Sequence, residues 1–205
     1  IKIAILNYTY GTNGLKVPSP AIVNLIDTSV IAEDLKIAKS KSPDFTMVAM
    51  HWGNEYEREP SKQQKFLADF LFSKDVDVII GSHPHVVQPL AYADKNQDKK
   101  QLVIWSLGNL VSNQRRHYTD GGIMVQFDIV KNKNTSKTTI DSVGYYPFWV
   151  YKAQNPVSYH ILPASHYDTD TLRNKLPEND ISTFGIFIND TRKHLKRDTI
   201  RIVEM

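Results

Sequence analysis

Three histidines stand where short apolar runs end. His51 closes the run FTMVAM (45–50), and His83 and His85 follow VDVII (76–80) in the segment GSHPH, with Pro84 between them. Loops leaving the carboxyl ends of parallel neighbouring strands meet along one edge of a sheet, where ligands bind. The three imidazoles are therefore expected to converge there. Imidazole is a common ligand of borderline divalent metals, so His51, His83 and His85 read as candidate ligands of a divalent ion, although spacing does not name the metal. Pro84 fixes its own φ and biases His83 toward extended backbone, while Gly81 is expected to permit a close turn out of the strand. Stiffness at that point would pre-set ligand geometry. The blander reading is that the histidines cross-link loops by hydrogen bonds. His117, His160, His166 and His194 receive an equally plain reading, as surface or satisfied core residues.

Glu55 and Asn109 are companions of this set. Glu55, four residues past His51, reads as a ligand, as an acceptor orienting an imidazole or as a proton donor; a solvated loop carboxylate is the alternative. Asn109, in SLGNL, follows another apolar run, where its amide could reach an oxyanion or a neighbouring loop, or simply serve a turn. In YTYGTNG (8–14), Gly11, Asn13 and Gly14 suit a backbone approach to a ligand, and a plain turn equally well. Trp52, Tyr56 and Trp105 read as packing around the site.

The elements that must position these residues follow from periodicity. A helix is expected from about Val30 to Ala38, with Ile31, Leu35 and Ala38 on one face and a cap among Asp27, Thr28 and Ser29. A second is expected in PSKQQKFLADFLFS, with Pro60 in its first turn and a stripe of Phe66, Leu67, Phe70 and Leu71. Strands are expected at 45–50, 76–80 and 101–107, and the alternation of strand and helix gives the α/β class. From Gly121, the residues Ile123, Val125, Phe127 and Ile129 alternate with polar ones, KNKNTSK turns the chain and TTIDSVGYYPFWVY returns it: a hairpin with one wet face. A terminal helix opens near Pro177 to Asp180 and turns Ile181, Phe184 and Ile188 inward. The expected organisation is one compact unit, a main part over 1–160 with a helical tail over 161–205 packed on it.

Composition limits the function classes. With 41% hydrophobic and 23% charged residues the 205-residue chain is that of a folded protein. A net charge of +3 without a basic block gives no case for nucleic acid and does not hinder an anionic ligand. No run approaches the ~20 apolar residues that cross a bilayer, and the absence of cysteine excludes disulfides and thiolate metal sites. The sequence starts at Ile1 inside an expected strand, so an amino-terminal portion of the same fold, with any anchor, is expected elsewhere.

The blocks HWGNEYEREPSKQQKFLADFL, VDVIIGSHPHVVQPL, IWSLGNLVSNQ and YTYGTNG together resemble the bacterial capsule-synthesis CapA family, linked to poly-γ-glutamate capsules, over roughly Ile1 to Tyr151. That resemblance implies the carboxyl-terminal part of a calcineurin-like metallophosphoesterase αββα sandwich, with a dinuclear metal site on loops after strands. Gly81, His83 and His85 are similar to its closing Gly-His-x-His motif, with Ser82 inserted, and His51 to the histidine preceding it. The resemblance implies metal ligation by these histidines, with an ion of the Mn, Fe or Zn class, and makes Glu55 and Asn109 companions of the pocket; in an enzyme, His51 or Glu55 is expected to handle the leaving-group proton, and Asn109 and Asn13 are expected to contact substrate. It implies a metal-dependent hydrolase or transferase acting on a phosphoester or an anionic polymer, or else a non-catalytic accessory of synthesis or export. The family's aspartate-bearing strand end and Asn-Asn-His element have no counterpart in this sequence, so weak metal binding and inactivity are expected of the chain alone. An extracytoplasmic location, attachment to the membrane through a segment outside this sequence and a homo-oligomer complete these expectations.

Overall fold

The computed structural model describes residues 1–93, 100–196 and 202–205. The first half builds a five-stranded sheet. Its strands are β1 (Ile3–Thr9), β2 (Phe45–His51), β3 (Val78–Ser82), β4 (Leu90–Ala93) and β5 (Gln101–Ile104), with α1 (Thr28–Ser40) between β1 and β2 and α2 (Lys62–Ser73) between β2 and β3. The spatial order is β1-β2-β3-β5-β4, parallel except for β4. The second half is antiparallel: β6 (Gly121–Lys131), β7 (Thr138–Gln154) and β8 (Val157–Pro163), then α3 (Ala164–Asp168), α4 (Glu178–Leu195) and β9 (Val203–Glu204), which pairs with β7.

Alternation along the buried strands separates two cores. Phe45, Val78, Leu102 and Ile104 face the second sheet and pack with Ile123, Tyr145 and Trp149. Val48, Ile79 and Val103 face the other way and lie under Ile31 and Leu35 of α1 and Leu67 and Leu71 of α2. The α/β class expected from the sequence is the class the chain adopts.

Both helices of the first half start as their residues dictate. Asp27 accepts from the backbone N–H of Ser29 and Val30 at 2.8 and 3.2 Å. Ser61 and Gln64 form a reciprocal capping box at the start of α2, satisfying two otherwise unpaired N–H groups. Pro60 therefore precedes the cap rather than lying in the first turn. The expected stripe of α2 also rotates: Phe66 is 63% exposed, while Gln64 and Ala68 join Leu67 and Leu71 inside. Gln64 is buried because it is useful there, donating to Gln88 Oε1 at 2.8 Å, while Gln88 Nε2 donates to Glu57 O at 2.8 Å. This network ties α2 to the loops after β2 and β3.

The hairpin of β6 and β7 forms as expected, with Met124, Gln126 and Asp128 on the wet side and a register shift between Phe127 and Ile129. Strands β4 and β8 add to the expected elements, and β8 runs across residue 160, where the helical tail was expected to begin. Of that tail, residues 197–201 lie outside the described residues. Helix α4 places Phe184 and Ile188 in the core, with Phe184 stacked on Trp149 at 5.6 Å, while Ile181 stays half-buried. It also grips the loop after β2: His194 Nε2 donates to Arg58 O at 3.0 Å and Arg58 donates to Asp190 O at 3.2 Å.

Candidate metal site at the carboxyl-terminal rim

The parallel register sets Thr9 beside His51 and His51 beside Ser82, so β1, β2 and β3 end in one row. Backbone hydrogen bonds stitch the loops beyond it. Tyr10 N donates to His51 O at 2.9 Å, Trp52 N to Ser82 O at 3.0 Å and Tyr56 N to Pro84 O at 2.8 Å. The three imidazoles meet above this row, with ring centroids 4.7 Å apart for His51 and His83 and 6.0 Å for His83 and His85.

The backbone holding them differs from the expectation. His83 has φ 101 and His85 φ 59, so neither is extended, and Tyr56 opposite them has φ 68. Non-glycine residues with positive φ carry roughly 1–3 kcal/mol of strain and persist where surrounding structure enforces them. Pro84, buried between the histidines, restricts the loop on both sides, and the stitched backbone prevents relaxation. Gly81 is not at a turn but inside β3. A Cβ there would sit 2.0 Å from Trp105 O, the carbonyl that accepts from Trp52 Nε1 at 3.1 Å, so it is close approach that requires glycine.

Hydrogen bonding fixes two of the imidazole tautomers. Thr9 Oγ1 donates its one proton to Gly11 O at 2.9 Å, so at 2.9 Å from His51 Nδ1 it accepts from a protonated Nδ1. Asn109 Nδ2 donates to His85 O and Thr119 O at 3.3 and 2.7 Å, leaving Oδ1 to accept from His85 Nδ1 at 2.9 Å. In neutral His51 and His85 the lone pair is therefore on Nε2, the arrangement in which a partner on one ring nitrogen prepares the other for a metal. Burial holds the pKa values of His51 and His83 below the usual imidazole range, and neighbouring imidazoles push the same way, against an opposing pull from Glu55 on His83. Both shifts favour the neutral ring, the form that coordinates a metal.

The donor atoms of Glu55, His83 and His85 lie within 4.8 Å of one another. Glu55 rather than His51 joins His83 and His85 in this tightest donor group, while the His51 ring lies beside His83. Interaction with the neighbouring Glu55 carboxylate, together with burial, raises the Tyr56 pKa despite the opposing Arg116 charge. One carboxylate and two imidazoles suit a single divalent ion of the Mn, Fe or Zn class. Among the described residues this is the one such group, which is short of the shared carboxylate cage that two ions ~3.5–4 Å apart require.

Asn109 spends both amide protons on His85 O and Thr119 O and turns its oxygen to His85 Nδ1, so it orients an imidazole rather than donating to a substrate as expected. Asn13, at φ 52, accepts the hydroxyl of Tyr10. Tyr10, unremarked in the sequence, lies over His83 at 4.3 Å and His51 at 5.4 Å between centroids. Its position directly after an expected strand was the available signal. Trp52 and Trp105 stack at 5.7 Å beneath the loops. The other four histidines have polar partners: Asp190 for His117, Ser158 for His160, Thr171 for His166 and Arg58 O for His194.

A layered α/β fold with a histidine-bearing rim defines the class: a metallophosphoesterase-like protein. Within it, the chain belongs to the family described as bacterial capsule synthesis protein PGA_cap, whose model matches residues 1–114. Over 102 residues it is 34% identical to "Capsule biosynthesis protein CapA" of Bacillus anthracis, covering 47% of this chain and 24% of that protein. Over 92 residues it is 34% identical to "PGA biosynthesis protein CapA" of Bacillus subtilis (strain 168), covering 45% and 23%. The matched segments span about a quarter of the length of these relatives.

Proposed function

We propose that this chain serves the synthesis of an anionic capsule polymer of the poly-γ-glutamate type, and that its rim is a divalent-metal pocket for hydrolysis or group transfer. The observation that carries the metal reading is the pairing of tautomer-fixed His51 and His85 with the Glu55, His83, His85 donor group. Glu55, His83 and His85 would hold the ion, which supplies Lewis-acid polarisation of a phosphoester or amide oxygen when bound. His51, neutral and with Nε2 unprotonated, is placed beside His83 to complete the ligation or to accept a proton from an attacking water. Tyr10 covers one side of the His51 and His83 rings. The capsule role rests on the family and on the names of the two relatives, and an extracytoplasmic location goes with it. Among the described residues no helix is long and apolar enough to cross a membrane.

The one-ion donor set favours a second reading, an accessory that binds metal or polymer without turnover. A further polypeptide segment of the same fold also fits: β1 is an edge strand whose Ile3 and Ile5 are 41% and 71% exposed, although parallel sheets are normally covered on both faces. Metal analysis of the intact protein tests the pocket. Bound manganese is expected in the wild type and lost in His83→Ala and His85→Ala; unchanged content in both variants rejects it. Turnover of an aryl phosphoester with manganese, abolished in His51→Ala, supports the enzyme, and its complete absence in the wild type supports the accessory.

A further inference from the structure

The loop between β5 and β6 carries two adjacent arginines with different surroundings. Arg115 is committed to the fold, donating to Val150 O at 3.0 Å and Ser112 O at 3.3 Å. Arg116 is exposed, and among the described residues no carboxylate is paired with it. Its guanidinium carbon lies 4.4 Å from the centroid of the Tyr56 ring. Tyr56 in turn stacks toward His85, 6.2 Å between centroids, and directly follows Glu55 in the chain. Arg116 therefore stands one aromatic ring from the candidate metal donors.

Its position is not loose. Arg116 O accepts from Thr119 N at 2.9 Å and Thr119 Oγ1 at 2.7 Å, and Thr119 O accepts from Asn109, which orients His85. Tyr56 is fixed by its N–H to Pro84 O and by its positive φ. A guanidinium whose face is engaged by a ring keeps its N–H edge free, and that planar fork matches the two oxygens of a carboxylate or phosphoryl group.

We propose that Arg116 is a specificity-determining residue that pairs with an oxyanion of the substrate and so sets the reactive bond against the histidine rim. This rests on the rim being the reactive site, as proposed above. The ligand chemistry is a planar pair of anionic oxygens, from either a side-chain carboxylate of a γ-linked glutamate polymer or the phosphoryl group of a phosphoester.

The test is titration of the intact protein with inorganic phosphate and, separately, with a γ-linked glutamate oligomer, each with chelator and with manganese, alongside a measurement of manganese content. Arg116→Ala is expected to weaken at least one probe about tenfold, the loss of one charge-assisted bidentate pair, with manganese content unchanged. Arg116→Lys should recover part of the loss, since charge is kept but the fork is not. Weakening of the phosphate arm alone assigns a phosphoester, and of the oligomer arm alone a polymer. Unchanged affinity for both probes, no binding of either by the wild type, or a parallel fall in manganese overturns the proposal. If the wild type binds no manganese, the metal reading fails while the chelator arms still decide the role of Arg116.

Discussion

Along the parallel sheet the strands end in a row of polar side chains held by strained loops, whereas the antiparallel sheet and α4 bury large apolar side chains in relaxed backbone. His83, His85 and Tyr56 all carry positive φ at the rim; Trp149, Phe184 and Ile188 are stacked in the core behind it. The family match ends at residue 114, so the rim lies within the matched segment and the second sheet beyond it. Strain is tolerable at one edge because burial elsewhere offsets it, a common division between functional and supporting regions.

That division can be broken at several points. The largest effect is expected for Phe184→Ala, which should lower unfolding stability by about 3–5 kcal/mol through a core cavity while leaving metal affinity of the folded fraction unchanged; denaturant melts with metal titration check both. Gly81→Ala links the two regions, because its methyl group would press on Trp105 O, and should cost about 1–3 kcal/mol and disturb the rim as well. Asn109→Ala should reduce metal affinity about 10–100-fold, as the loss of an imidazole-orienting partner does, and Asn109→Asp should not restore it, because a carboxylate oxygen would face the carbonyls of His85 and Thr119 in place of the amide donor. His83→Gly should raise unfolding stability by about 1 kcal/mol through relieved strain while abolishing metal binding, as denaturant melts with metal titration would read; lower stability would mean that the ring contacts with Tyr10 and His51 outweigh the strain.

The smallest effect is expected from pH. His51 and His83 have pKa values below the 6.5 of the free side chain, so below that value the unfolded chain binds more protons than the folded one. Their contribution to stability is full above about pH 6.5 and declines as pH falls from there to the folded-state values. Thermal melts of the metal-free protein between pH 5 and 8 (approximate bounds that bracket the window) should show this slope, and it should flatten in His51→Ala with His83→Ala.

The elements of the first half were legible because their apolar spacing is regular: Ile31 with Leu35, Leu67 with Leu71, and the buried runs of β2 and β3. The meeting of His51, His83 and His85 was legible because each follows such a run. Phe66 was misplaced because a period of 3.6 defines a stripe but not its centre, which the capping box and Gln64–Gln88 network shift. The positive φ values of His83 and His85 had no sequence signal, since Pro84 argues for extended backbone and only the tertiary stitching overrides it. Thr9, Tyr10 and Arg116 were missed because each has an ordinary local role, and their importance arises from contacts across 42, 73 and 60 residues of sequence respectively.

The mutual grip of Arg58 and α4 has an outcome at a distance. The segment bearing Glu55 and Tyr56 is anchored from behind by a helix that the family model does not reach. Its amides should exchange with solvent at a pace set by undocking of α4, so removal of that helix would loosen the stretch carrying Glu55 and Tyr56 while His51 keeps its place at the end of β2 and Asn109 still holds His85 in the loop after β3.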